Sequence, residues 1–160
     1  MREKILELLE RDSRVSTAEA AILLGEPEEA VQKEIRAMEE EGVICGYHAL
    51  INWEKVAEEK VIALIEVRVT PQRDMGFDNI AERIYQYEEV KSVYLMSGAY
   101  DFTVIVEGKT MKNVAQFVSS KLATIDGVLS TATHFIMKQY KEDGTVMAPR
   151  EKDERIPVTL

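Results

Sequence analysis

Residues 61–69 set the tightest limit on what this chain can fold into. Val61, Ala63, Ile65, Val67 and Val69 alternate with Ile62, Leu64, Glu66 and Arg68. A period of two puts successive side chains on opposite faces of an extended strand, whereas a helix would mix the two sets. Thr70-Pro71 stops the run. Phe77, Ile80, Ala81 and Ile84 then follow helical spacing, and Val90 to Met96 returns to strand. Ser97 to Asp101 reads as a turn, Phe102 to Val106 as a strand, and Glu107-Gly108 ends it. Val114, Phe117, Val118 and Leu122 mark a second helix, Asp126-Gly127 turns the chain, and Val128 to Tyr140 reads as a long last strand.

The order is β-α-β-β-α-β, which predicts an antiparallel sheet with both helices on one face. The strand at 61–69 is apolar on both faces, so the bare face of the sheet needs cover. A second copy of the same sheet is the simplest cover, and a homodimer is expected.

The first 51 residues follow a different rule. Ile5, Leu6, Leu8 and Leu9 stripe a helix from about Arg2 to Asp12, broken by Ser13-Arg14-Val15. Ser16-Thr17-Ala18-Glu19 is a capping box that opens a second helix, ended by Gly25 near Leu24. Pro27 suits the start of a third helix, where Val31, Ile35 and Met38 share one face before Gly42. Val43-Ile44-Cys45 and His48-Ala49-Leu50-Ile51 flank Gly46-Tyr47 and predict a small wing. Two helices around a tight turn form the reading unit of many DNA-binding proteins. Residues 52–59 read as a linker or short helical turn, with Trp53 as a packing anchor. Residues 143–160, broken by Gly144, Pro149 and Pro157, read as an arm or tail.

Charge opposes the DNA reading. The chain carries 20 basic and 29 acidic residues, net −9, and phosphate neutralisation normally demands the reverse balance. The single cysteine, Cys45, forms no internal disulfide and is expected to be a small buried residue. His48 and His134 stand far apart, with no metal-ligand spacing. No apolar run reaches the ~18 residues of a membrane span. The N-terminal residues enter an amphipathic pattern, not a signal core, so a cytoplasmic protein with no membrane partner is expected.

Several motifs carry a resemblance. Ile5-Leu6-Glu7-Leu8-Leu9 with Arg14-Val15-Ser16, then Met38-Glu39-Glu40-Glu41-Gly42-Val43-Ile44 with Gly46-Tyr47, resemble the head of the Lrp/AsnC regulators. Ser97-Gly98-Ala99-Tyr100-Asp101-Phe102 resembles their sensor-domain Gly-x-x-Asp turn. Asp126-Gly127-Val128 with Thr131, Thr133 and Lys141 resembles their closing strand. The resemblance covers about residues 1–142. It implies an α+β chain: a winged helix-turn-helix at 1–51, a linker at 52–59 and a ferredoxin-like βαββαβ sensor (RAM-type) at 60–142. It further implies dimers that assemble to a higher oligomer such as an octamer. Their heads would bind double-stranded promoter DNA, and an effector, commonly an amino acid, would sit between dimers near the Gly-x-x-Asp turn. No other cofactor is expected.

Chemistry then selects residues. An amino acid needs donors for its carboxylate and an acceptor for its ammonium. Gly98 admits close backbone approach, and exposed N–H groups in such a turn suit an anion. Asp101 suits the ammonium, a charge-assisted bond worth about 1.5–3 kcal/mol, with Ser97 and Tyr100 adding hydroxyls. The competing reading is a hairpin turn that uses Gly and Asp for conformational reasons. On the head, Gln32 suits adenine, Lys33 and Arg36 suit guanine or phosphate, and Arg14 suits the backbone. The opposing reading pairs Lys33 and Arg36 with Glu29, Glu39 and Glu40. The third helix departs from the family pattern: Pro27 stands at its serine position, and Lys33, Glu34 and Ala37 where arginine is common. Residues 1–47 hold six basic and twelve acidic side chains, so weak DNA affinity per dimer is expected, raised by several heads on one oligomer. One rival is a sensing co-regulator that uses an acidic head for protein contacts. Another is a haem-pathway decarboxylase of the same architecture, but two distant histidines and scattered arginines do not make a polycarboxylate pocket, and no enzyme is expected.

Overall fold

The computed structural model describes residues 1–56, 60–70 and 76–148. The chain divides into two compact units, Met1–Ile51 and Asn52–Leu160.

The first unit is three helices, α1 (Arg2–Arg11), α2 (Thr17–Leu24) and α3 (Glu28–Glu40). Sequence explains both boundaries of α2. Ser16 Oγ accepts from the Glu19 N–H at 3.2 Å and Glu19 Oε2 accepts from the Ser16 N–H at 2.9 Å, so two otherwise orphaned donors are satisfied. Gly25 leaves the helix at φ 69°, a left-handed turn that costs a glycine nothing. Pro27 precedes the first turn of α3, and its carbonyl accepts from Ala30 and Val31. Ile5, Ala20, Ala21, Val31 and Met38 form the buried core.

Two head expectations fail together. Residues 45–51 contain no strand and no wing. Val43, Tyr47, Leu50 and Ile51 are exposed, so no core face holds the two runs against each other. Cys45 is likewise exposed, its Sγ 3.2 Å from the Gly42 carbonyl, because there is no wing to cover it.

The second unit is built on a four-stranded antiparallel sheet in the order β2-β3-β1-β4. The strands are β1 (Val61–Val69), β2 (Val90–Leu95), β3 (Phe102–Gly108) and β4 (Val128–Phe135). Helices α4 (Asp78–Tyr85) and α5 (Met111–Ser120) complete the βαββαβ order. Register follows the alternation: Ala63, Ile65 and Val67 face the same side as Val106, Val104 and Phe102, and all six are buried. Ile80, Ile84, Val114, Phe117 and Leu122 close this side. The opposite face carries Ile62, Leu64, Ile105 and Tyr94, but also Glu66, Arg68 and His134, so it is less apolar than expected. Thr131 and Thr133 pair with Val67 and Ile65 and are half-buried strand residues.

The last strand is shorter than its sequence run. Ala63 pairs with Phe135, the Ile136 N–H reaches the Ile62 carbonyl, and β1 then ends, so residues beyond have no ladder to join. The chain instead forms a small hairpin, β5 (Lys141–Glu142) and β6 (Thr145–Val146). Asp143 and Gly144 turn it at φ 43° and 77°, the positive pair a tight hairpin needs. Met147 is buried, and its carbonyl accepts from Asn52 Nδ2 at 2.8 Å. The first part of the expected arm is thus folded, while 149–160 lie outside the described residues. So do 57–59 of the expected linker, whose residues Trp53–Lys55 form a single 3-10 turn, and the Pro71 stop.

Candidate functional site

The turn between β2 and β3 is built by the strands on either side. The Met96 N–H donates to the Asp101 carbonyl at 2.7 Å, closing the hairpin. Gly98 bulges at φ 145°, and an added Cβ there would meet nothing within 4 Å. Only the conformation therefore calls for glycine. Ser97 and Gly98 are exposed, and Tyr100 and Asp101 are half-buried. Asp101 already has work within the protein. Its Oδ2 accepts from the Val69 N–H at 2.8 Å and its own N–H donates to the Val67 carbonyl at 3.0 Å. Those bonds pin the end of β1 where its register with β4 shifts between Arg68 and Val69. Tyr100 Oη accepts from Thr103 Oγ1 at 3.3 Å. The four residues are together at one end of the sheet, and Asp101 acts there first as a backbone tie.

On the head, Gln32, Lys33 and Arg36 lie exposed on α3. No hydrogen bond or ion pair engages Lys33 or Arg36 among the described residues, so the opposing reading, pairing with Glu29, Glu39 and Glu40, has no contact there. Four acidic residues of the head, Glu28, Glu34, Glu39 and Glu41, are engaged elsewhere. Arg2 Nε meets Glu34 Oε1 at 2.5 Å and its Nη1 meets Glu41 Oε2 at 2.7 Å. Tyr47 Oη donates to Glu39 Oε1 at 2.8 Å, and Thr17 Oγ1 donates to Glu28 Oε1 at 3.0 Å. The Arg2 guanidinium holds the Glu41 carboxyl below its ordinary value. Glu41 in turn raises the Arg2 guanidinium further above its own. Arg14 differs from the α3 cations: its guanidinium is bound to Asp12 at 3.1 Å. Asp12 is lowered by that hydrogen bond. The Arg2 clamp spans 32 and 39 residues, and no local motif announces it.

An exposed third helix after a tight turn, in a chain that continues into a βαββαβ unit, defines the class of helix-turn-helix regulators with a separate ligand-binding domain. Residues 62–146 match the Lrp/AsnC ligand-binding domain. The chain is 50% identical over 157 residues to YugG, an HTH-type transcriptional regulator of Bacillus subtilis (strain 168), covering 98% of this chain and 95% of that one. It is 32% identical over 137 residues to the HTH-type regulator LrpA of Pyrococcus abyssi, covering 86% and 94%. A regulator of Neisseria meningitidis solved in complex with L-Met shares the fold at a TM-score of 0.70 and 23% identity, covering 92% and 94%. The chain belongs to the Lrp/AsnC family of HTH-type transcriptional regulators. Among the described residues no helix is long and apolar enough to cross a membrane.

Proposed function

We propose that this regulator acts in the cytoplasm on double-stranded promoter DNA, as a dimer paired through the outer sheet face and assembled to a higher oligomer such as an octamer. It works without enzymatic chemistry. The observation that carries the DNA reading is the exposed trio Gln32, Lys33 and Arg36 on α3, beside acidic residues already engaged by Arg2, Tyr47 and Thr17. Arg2 offsets charge locally between Glu34 and Glu41, while Tyr47 and Thr17 donate neutral hydrogen bonds, so the head stays net acidic. Few phosphates are neutralised per head, so affinity builds through several heads on one assembly. The effector is an amino acid at the turn of Ser97, Gly98, Tyr100 and Asp101. The meningococcal neighbour, held with L-Met, supports that ligand class. No cofactor beyond it is required.

The test is a salt titration of binding to genomic promoter fragments, with each amino acid in turn. Weak binding per dimer, a shallow fall with salt that steepens as more heads engage, and a shift with at least one amino acid are expected. Nanomolar binding by an isolated dimer at physiological salt, or no response to any amino acid, contradicts it. One observation favours a second reading, a co-regulator with a protein-binding head: six basic against twelve acidic residues in 1–47. Full loss of retention on DNA at low salt would decide for it.

A further inference from the structure

Helix α2 is apolar on two sides, and the head's core uses only one of them. Ala20 and Ala21 are buried in that core. Ile22 and Leu23 lie outside it, 81% and 66% exposed. A surface helix normally turns one apolar stripe inward and a polar face outward, and a helix apolar all round is normally covered all round. Packing within the head therefore leaves Ile22 and Leu23 without a purpose.

The two side chains line an open groove of about 560 Å³. Asp12, Arg14 and Val15 join them from the turn between α1 and α2, and Glu19 from one helical turn earlier on α2. No α3 side chain lines the groove, so it is separate from Gln32, Lys33 and Arg36. Small-molecule sites are concave and bury most of their ligand, which an open groove does not do. It suits the flank of a protein segment that lays a row of apolar side chains along it.

Charge selects the occupant. Arg14 holds the Asp12 carboxyl below its ordinary value by a hydrogen bond, and the Ser16 N–H does the same for Glu19. The Arg14 guanidinium is taken up by Asp12 at 3.1 Å. Both Ser16 donors meet Glu19 Oε2, so Glu19 Oε1 remains open beside Ile22 and Leu23. The head around the groove holds twelve acidic and six basic side chains in residues 1–47. DNA is repelled by such a surface, and a second head, equally acidic, is opposed for the same reason. A cationic segment is attracted to it.

We propose that the α2 groove docks a basic amphipathic helix of another protein, its apolar side chains on Val15, Ile22 and Leu23 and a lysine or arginine on Glu19. In such helix-in-groove recognition the anchors at i, i+3, i+4 and i+7 supply the apolar contact, and the charges around them set specificity and encounter rate. The docking gives the protein-binding reading of the head a definite surface, and it holds equally where α3 reads DNA. One head then holds DNA through α3 and a partner through α2, and only this joint consequence rests on the DNA reading.

The probe is a labelled helical peptide of about 15 residues, with leucines at helical spacing and lysines elsewhere, titrated with the full chain at about 0.15 M salt. Fluorescence anisotropy reads the binding. One control peptide carries the same residues in scrambled order, and another carries glutamate for each lysine. Saturable binding of the probe, at least tenfold tighter than either control, is expected. The affinity should fall at least tenfold in Ile22→Ser with Leu23→Ser, whose exposed side chains take no part in the core. Leu23→Ala alone should lower it severalfold, a milder change that keeps the test decisive if the double variant does not fold. Glu19→Gln should lower it measurably, since glutamine keeps the capping box and loses the charge. Lys33→Ala with Arg36→Ala should not lower it.

Absence of probe binding overturns the proposal, as does equal binding of the scrambled peptide or an affinity unchanged in the Ile22 and Leu23 variants. Sedimentation of the full chain tests the other occupant. The same assembly size with and without the Ile22 and Leu23 substitutions is expected. A smaller assembly in the double variant assigns the groove to a second copy and overturns the partner-protein assignment.

Discussion

The head is held by five buried side chains and the sensor unit by thirteen, counted among the described residues. The smaller core leaves more of the head's structure to polar fixings at its edges: the Ser16–Glu19 capping box, the Thr17–Glu28 bond and the Arg2 clamp on Glu34 and Glu41. The sensor leans on ladder pairing and on aromatic contacts such as Phe77 against Phe102 at 5.9 Å. The contrast also explains an oddity of composition. Acidic residues that look hostile to DNA in the sequence serve as structural acceptors in a head too small to stand on apolar burial alone.

Core truncation strikes this contrast hardest. Phe102→Ala should cost the sensor about 3–5 kcal/mol, and Met38→Ala should cost the head about 2–5 kcal/mol. Urea unfolding followed by Trp53 emission and by helical circular dichroism should show Met38→Ala shifting only the helical signal. One shared transition for both probes would break the separation of the units. Next comes Asp101→Ala, which leaves the part-buried Val69 N–H without its acceptor and should cost about 1–3 kcal/mol in the sensor alone. Unchanged unfolding would mean that the tie is incidental.

A smaller effect is expected on binding. Lys33→Ala with Arg36→Ala should weaken DNA binding about tenfold and flatten the salt slope by ~1.8, at ~0.9 for each phosphate left unneutralised. Stability should be untouched, because neither side chain has an internal partner among the described residues. An unaltered salt slope would remove α3 from the interface. Acid should produce the gentlest separation. Asp12, Glu19 and Glu41 in the head have carboxyls below their ordinary values, through Arg14, Ser16 and Arg2 respectively, against Glu89 in the sensor through Lys121. A depressed carboxyl gives its full stabilisation above the unfolded value near 4 and loses it as pH falls through the folded value. The head should therefore melt before the sensor on acidification below about pH 4. The reverse order, read by the same two probes, would contradict the polar account of the head.

What the sequence disclosed follows from range. Strand β1, the Ser16 capping box and the turn at Gly25 depend on neighbours within a few residues, and all three stand where alternation and capping rules put them. The β5–β6 hairpin was equally local, signalled by Asp143-Gly144, but its two-residue strands are too short to show a period. The wing failed because β-like residues make a strand only when something pairs with them. The end of β4 was hidden for the same reason, since it is set by where β1 ends and not by residues 136–140. At the β2–β3 turn, Ser97, Gly98, Tyr100 and Asp101 stand together because they are neighbours in sequence. That Asp101 holds Val69, 32 residues away, depends on the completed sheet.

The bond from Asn52 to the Met147 carbonyl has a practical meaning. It brings the point where the backbone enters the second unit next to the point near which its described part leaves. A folded module with adjoining doorways can be spliced into a surface loop of an unrelated host without stretching either end. Residues 52–148 are therefore a natural cassette for building a sensor into a foreign reporter protein.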